Sequence, residues 1–394
     1  MQLTKKIFAF PRIFLFLIPI TIISIIFTNL PSKGVEISSI EFIGEATLPK
    51  GLIFQNTEVG GLSGITYNSK NNLYYAISDE RGQKAATHLY TLKIDLSKGL
   101  LEKGGIIPVS VTKLLNENAQ IFRPGETDTE GIALTDKATV FVSSEGDATK
   151  LINPFIKEFS LSSGREIATL PIPKKFLPDK TNQKGIRNNL AFESLTIAPD
   201  NKHLFTATEN ALIQDGVAAK PNIGSSCRIL QYNLLNNQPD KEFLYQTEPV
   251  SPFLNLIGKF VSGLPDLLAL DNQGHFLSLE RSFTGLGFAI SLFQVSLEGA
   301  DDIHNIDSLL VVDSKNIKPV KKKLLLDLRK LDVLLDNIEG LTLGPKLPDG
   351  QQSLILISDN NFNSLQRTQI LAFKIKIENP LIRLLRRFFP NFNL

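Results

Sequence analysis

A short phrase recurs five times along this chain of 394 residues, and it constrains the fold more than any other feature. The copies are Gly61-Leu-Ser-Gly-Ile-Thr-Tyr67, Asp128-Thr-Glu-Gly-Ile-Ala-Leu134, Ala191-Phe-Glu-Ser-Leu-Thr-Ile197, Gly263-Leu-Pro-Asp-Leu-Leu-Ala-Leu270 and Asn337-Ile-Glu-Gly-Leu-Thr-Leu343. After a polar turn, each leads into an apolar strand that ends on an acid: Asp79-Glu80, Glu145, Glu209, Glu280 and Asp359. Aligned on Ser63, Glu130, Glu193, Asp266 and Glu339, the copies lie 67, 63, 73 and 73 residues apart. A strand unit repeating across nearly the whole chain predicts a closed array of blades.

Alternation and turn chemistry sort the strands into blades. Four blades read as complete, each with four strands. The fifth has Gly340 to Leu343, Ser353 to Ile357 and Gln369 to Ile377 and then lacks an outer strand. Ile37 to Leu48, ahead of blade one, belongs to no other blade. Pairing it with blade five closes the ring and removes two open edges. The expectation is an all-β, five-bladed propeller closed by its N-terminal strand, with six blades as the alternative.

The charges nearly balance, with 42 basic and 40 acidic residues, and no long basic run enters the repeats, which argues against nucleic acid as a partner. Cys227 is the only cysteine, so there is no internal disulfide and no cysteine-based zinc site. Lys5, Lys6 and Arg12 precede an apolar run from Ile13 to Phe27. That pattern predicts a signal peptide or an N-terminal membrane anchor over residues 1–34, hence an exported protein of the periplasm or cell envelope. The propeller is expected over 35–378, as a monomer. The basic, apolar residues 379–394 read either as a helix packed under it or as a contact with an anionic membrane. Phe253 to Phe260 reads as a short helix over one face.

The innermost strand of each blade lines a propeller's channel, so acids at equivalent positions converge in space. Glu130, Glu193 and Glu339 share one position, with Asp266 as the blade-four equivalent; Asp79, Glu80, Glu145, Asp147, Glu209, Glu280 and Asp359 form a second tier at the turn after the second strand. Clustered carboxylates repel one another unless a cation relieves them, and an all-oxygen ligand set suits calcium. Seven of these acids, Glu130, Glu193, Glu339, Asp79, Glu145, Glu209 and Asp359, are the candidate metal ligands. Arg81, Arg123 and Arg281 stand beside the acids in sequence and are candidates to hold a phosphate. The other use of such residues is structural, with acids capping turns and arginines bridging blades. No Ser–His–acid set can be chosen, Gly60-Gly-Leu-Ser-Gly64 is out of register for a nucleophile elbow, and no P-loop or dinucleotide fingerprint is present.

The phrases Arg187-Asn-Asn-Leu-Ala-Phe-Glu-Ser-Leu195, Asp128-Thr-Glu-Gly-Ile132, Asn337-Ile-Glu-Gly-Leu341 and Gly61-Leu-Ser-Gly-Ile65 followed by Tyr75-Ala-Ile-Ser-Asp79 resemble the repeats of the phytase-like domain family, "esterase-like activity of phytase". The resemblance spans Glu41 to Phe373. It implies a bacterial, exported propeller that hydrolyses esters or phosphoesters. Carried over by position, its catalytic residues are Glu130, Glu193 and Glu339 with Arg187. The chain departs from the pattern at Ser63 and at Pro265-Asp266. The function expected is a calcium-dependent phosphoesterase acting on a small phosphorylated substrate, of phytate or glycerophosphoryl type. The alternatives are a binding propeller without catalysis, or a calcium-dependent lactonase using Glu130, Asn188 and Asp359.

Overall fold

In a computed structural model, which describes residues 34–251, 260–285, 287–312 and 316–378, five four-stranded antiparallel sheets stand in a ring. From the channel outward, blade one is Leu62–Asn68, Leu73–Ser78, His88–Ile94 and Ile106–Lys113. Blade two is Thr129–Leu134, Thr139–Ser144, Phe155–Ser160 and Glu166–Leu170. Blade three is Phe192–Ile197, His203–Thr208, Ser226–Asn233 and Gln238–Gln246. Blade four is Val261–Ala269, His275–Phe283, Phe288–Ser296 and Lys321–Asp327. Blade five is Ile338–Lys346, Gln352–Ser358, Gln369–Glu378 and, last, Glu36–Thr47 from the other end of the chain. The ring therefore has five blades and closes through its N-terminal strand, as expected. The segments 1–33, 252–259 and 379–394, with the anchor, short-helix and tail expectations, lie outside the described residues. Among the described residues no helix is long and apolar enough to cross a membrane.

Both faces of a blade are buried, because each blade packs against two neighbours. Alternation along one strand therefore feeds two different seams. In Leu73–Ser78, Tyr74 and Ala76 join the apolar seam against blade five, with Ile355 and Ile357. Tyr75 and Ile77 join the seam against blade two, with Ile132, Val140 and Val142. Similar seams fill the spaces between blades two and three, three and four, and four and five.

The Glu-Gly pair of the repeat has a steric origin. A Cβ at Gly64 would stand 2.4 Å from the Glu130 carbonyl oxygen, and one at Gly131 would stand 2.8 Å from that of Glu193. Inner strands crowd around a narrow five-fold axis, so at Gly64 and Gly131 the residue after the channel position has no room for a side chain, whereas blade three seats the small Ser194 there. Thr66 Oγ1 accepts from Leu134 N, and Thr196 Oγ1 from Ala269 N, tying inner strands of adjacent blades.

Inner strands begin, and second strands end, at the acidic end of the channel. The outer strand of blade five pairs Thr47 with Gln369 at that end and Glu36 with Glu378 at the other. Both ends of the described body thus leave from the face opposite the acids.

Candidate metal centre

Strand register decides which side chains reach the channel. The pairs Thr66–Tyr75, Ala133–Phe141, Thr196–Phe205 and Thr342–Ile355 are equivalent ladder rungs of four blades. Three residues back on the inner strand and four forward on the second lie Ser63 and Asp79, Glu130 and Glu145, Glu193 and Glu209, Glu339 and Asp359. The matching rung in blade four is Leu268–Leu277, which puts Pro265 and Arg281 at these positions. The sequence alignment on Asp266 and Glu280 is thus off by one residue in that blade. With a side-chain period of two, one residue sends each acid to the other face. Asp266 accepts from the amides of Leu267 and Leu341, at 2.8 Å each, and binds blade four to blade five. Glu280 accepts from Tyr245 Oη at 2.7 Å and Lys322 Nζ at 2.6 Å.

Among the described residues, the candidate cation site combines two blade-two positions expected from the sequence with Asp128, which was not expected. Ligand oxygens of Asp128, Glu130 and Glu145, all buried, lie within 4.8 Å of one another. Asp128 stands two residues before Glu130, so an extended backbone turns both to the same face. Glu145 comes in from the neighbouring strand, and its own amide donates to the Asp128 carbonyl at 2.9 Å. Glu145 Oε1 accepts from Ala191 N, but Oε2 is buried with no partner. A buried carboxylate oxygen left unpaired is costly, and a cation at this point would relieve it. Asp79 Oδ1 and Asn337 Oδ1 are buried and unpartnered as well.

Two arginines divide the remaining acids. Arg81 grips Asp128 with Nε to Oδ1 and Nη2 to Oδ2, both at 2.7 Å, and reaches Asn189 Oδ1 at 2.5 Å. Arg281, buried in the acid position of blade four, sets Nη2 3.1 Å from both Glu209 and Glu339. Asn337 Nδ2 donates to the same Glu339 oxygen at 2.9 Å. The acids are therefore not one ring around one ion. Each half holds an arginine, and in the blade-two half Glu130 and the unpartnered Glu145 oxygen leave a place for a further cation beside Arg81.

Burial and mutual repulsion hold protons on this cluster. Burial, then Glu339 and Asp128, push Asp79 up to about 8. Burial raises Asp128 to about 6 against the pull of Arg81, and Glu209 to about 7 against that of Arg281. Glu130, Glu145, Glu193 and Asp359 are raised well above the carboxylate range, burial first and neighbouring acids next. Unfolded carboxyls titrate near about 4, so between that pH and about 8 the native state holds more protons than the unfolded chain. Stability then falls as pH rises. In chelator, the melting temperature is expected to drop by several degrees from about pH 5 to about pH 8. Saturating calcium is expected to remove most of that drop. Calorimetric melting across the range checks this, and a flat or rising trend in chelator would contradict it.

Asp79, Arg81, Glu130, Glu193, Glu209, Arg281, Glu339 and Asp359 all line one cavity of about 770 Å³ at the channel mouth. Glu145 does not line this cavity; it reaches the site through its contacts with Asp128 and Glu130. Arg187 is not in this cavity. Its Nε donates to Ala211 O at 3.0 Å and its Nη2 to Gly216 O at 2.5 Å, so it props a loop. It lines a separate cavity together with Asn188, which leaves the Glu130, Asn188 and Asp359 set apart. The Arg123 side chain is 87% exposed and faces Glu126. Glu80 caps the following turn, accepting from the amides of Gln83, Lys84 and Ala85.

Fold and mouth together define a class, a five-bladed propeller with a partly neutralised acidic cluster at one end of its channel. Within that class, the chain belongs to the phytase-like family, "esterase-like activity of phytase", whose profile matches residues 57–362. No curated protein matches it. Among solved structures, it is similar to an endo-arabinase from Bacteroides thetaiotaomicron, at 11% identity over 79% of this chain and 93% of that one, with a TM-score of 0.40. It is also similar to the tail fibre of Staphylococcus aureus phage P68, at 10% identity over 95% and 60%, with a TM-score of 0.40. A third similarity, at 8% identity over 81% and 69% with a TM-score of 0.35, is to the Dos1 propeller.

Proposed function

We propose that this chain is an exported, calcium-dependent phosphoesterase, acting as a monomer on a small phosphorylated substrate of phytate or glycerophosphoryl type. The observation that carries the reading is the buried set Asp128, Glu130 and Glu145 with an unpartnered Glu145 oxygen, beside an arginine, at a cavity of substrate size. The donors are hard carboxylate oxygens, which fit calcium or a similar divalent ion. When bound, that ion would supply charge neutralisation for the phosphoryl group and acidify a water. Arg81 holds its guanidinium at the cavity with a side chain 41% exposed, free to share itself between Asp128 and a phosphoryl oxygen. Asp79 keeps a proton at neutral pH and lines the same cavity, where it can pass that proton to a leaving oxygen. Arg281 keeps Glu209 and Glu339 in place without consuming the external ion. Membrane contact through the N-terminal segment is part of the same proposal and rests on its basic and apolar pattern.

The test is phosphate release from phytate, and from glycerophosphodiesters through a coupled phosphomonoesterase, with calcium and then with chelator. Calcium-dependent release supports the reading. Absence of release in both conditions, with calcium still raising the melting temperature, would make the cluster a structural cation site and the protein a binding propeller.

A further inference from the structure

The mouth has two chemically different sides. Arg81 and Asn189, which flank blades one to three, give it a polar side. Blades four and five bring apolar groups to the same cavity, Val261, Phe283 and Phe288 on the blade-four extension and Leu334, Leu335 and Leu365 on the loops of blade five. The latter are set among Asp336, Asn361, Asn363, Gln366 and Arg367. Leu334 is 77% exposed and Leu365 87%. The first three strands of blade four each run nine residues, against six in blade two. Three extra residues lift a strand by about 10 Å. The extension carries Val261, Phe283 and Phe288, with the two phenylalanine rings 5.3 Å apart, as a wall beside the mouth. A compact polyol phosphate is polar on every side and would make no apolar contact with this wall. Large exposed apolar groups gathered at one cavity signal a matching ligand surface.

We propose that the substrate is a single-chain amphiphile taken from solution as a monomer, a phosphoester whose head meets the acidic floor and whose alkyl chain lies along the wall of blades four and five. The head-group half rests on the phosphoesterase reading; the chain half rests on the wall alone. The experiment is calorimetric titration of the full chain, in calcium, with methyl-, butyl- and octylphosphonate below their aggregation concentrations. These probes carry the head and cannot be hydrolysed. Affinity is expected to rise about two- to fourfold per methylene, as burial of a CH₂ dictates. In the double variant Leu334→Ser, Leu365→Ser the rise is expected to shrink below about 1.5-fold per methylene, read as a slope within each protein. Equal binding of the methyl and octyl probes would overturn the inference and leave the phosphoesterase reading standing. So would an unchanged slope in the double variant. If no probe binds in calcium, both readings fall. Tight binding of octyltrimethylammonium in chelator, with no phosphonate binding, would show that the acids receive a cationic head and would also end both.

Discussion

Glu130→Gln is expected to abolish turnover and at the same time to stabilise the metal-free protein. The two effects share one cause. Glu130 is buried against Asp128, Glu145, Asp79 and Glu339, and those neighbours together with burial hold its carboxyl far above its ordinary range. Glutamine keeps the shape and needs no proton. Without the cation, folding at neutral pH no longer has to protonate a carboxyl that is ionised in the unfolded chain, a gain of about 0.5–2 kcal/mol, the usual size of a stabilising substitution. With calcium present, one of three clustered ligands is lost, and kcat/KM is expected to fall by about 10²–10³ or more, the size seen when one charge-stabilising group is removed. Melting in chelator and turnover in calcium, measured on the same preparation, check both halves. A residue with a purely structural role would move stability down and leave turnover within severalfold. That outcome, or a variant that melts lower in chelator, would contradict the assignment.

Deleting residues 34–48 is expected to prevent the body from folding as a soluble monomer. The lost strand pairs with Gln369–Glu378 along its length and carries the buried Ile37, Ala46 and Leu48. Ile40, Phe42 and Ile43 pack on the seams at either side of blade five. At about 1.5–3 kcal/mol for each large buried side chain, the loss is on the order of 10 kcal/mol, comparable with the whole stability of a domain. It would also expose Gln369–Glu378 as a long apolar edge, which invites pairing with another chain. Size-exclusion and circular dichroism of the truncated protein, compared with one cut only before Gly34, check this. A monomeric, cooperatively melting truncation would show that blade five closes without its outer strand.

Blade number, strand order and the closing strand could be read from the sequence because each rests on short-range patterns. Alternation, Asn- and Gly-rich turns and a constant spacing survive without knowledge of register. The seven acids were legible for the same reason, since three blades keep inner acid and second-strand acid in step and blade one keeps the second-strand acid Asp79 in the same register. Blade four was not legible. Every inner strand has a register irregularity at the acid, and in blade four it lies between Gly263 and Asp266, where Pro265 supplies no ladder donor. Nothing in the local sequence says whether Asp266 or Pro265 faces the channel, and only the rung Leu268–Leu277 decides it. Asp128 escaped because no other blade has an acid two residues before the channel position: the equivalents are Gly61, Ala191 and Asn337. Its signal was present, an acid at i and i+2 on a strand. Arg187 shows the reverse failure. It is six residues from Glu193 in sequence, yet its loop carries it to the carbonyls of Ala211 and Gly216.

The pairing of Glu36 with Glu378 has a directional consequence. Whatever precedes and follows the ring is attached to its back, with the full height of a blade between the attachment point and the cavity. An engineered immobilisation tag joined at either end of the described body would be attached on the side away from the opening. Ligands would then arrive from the bulk phase and not from the surface to which the protein is fixed.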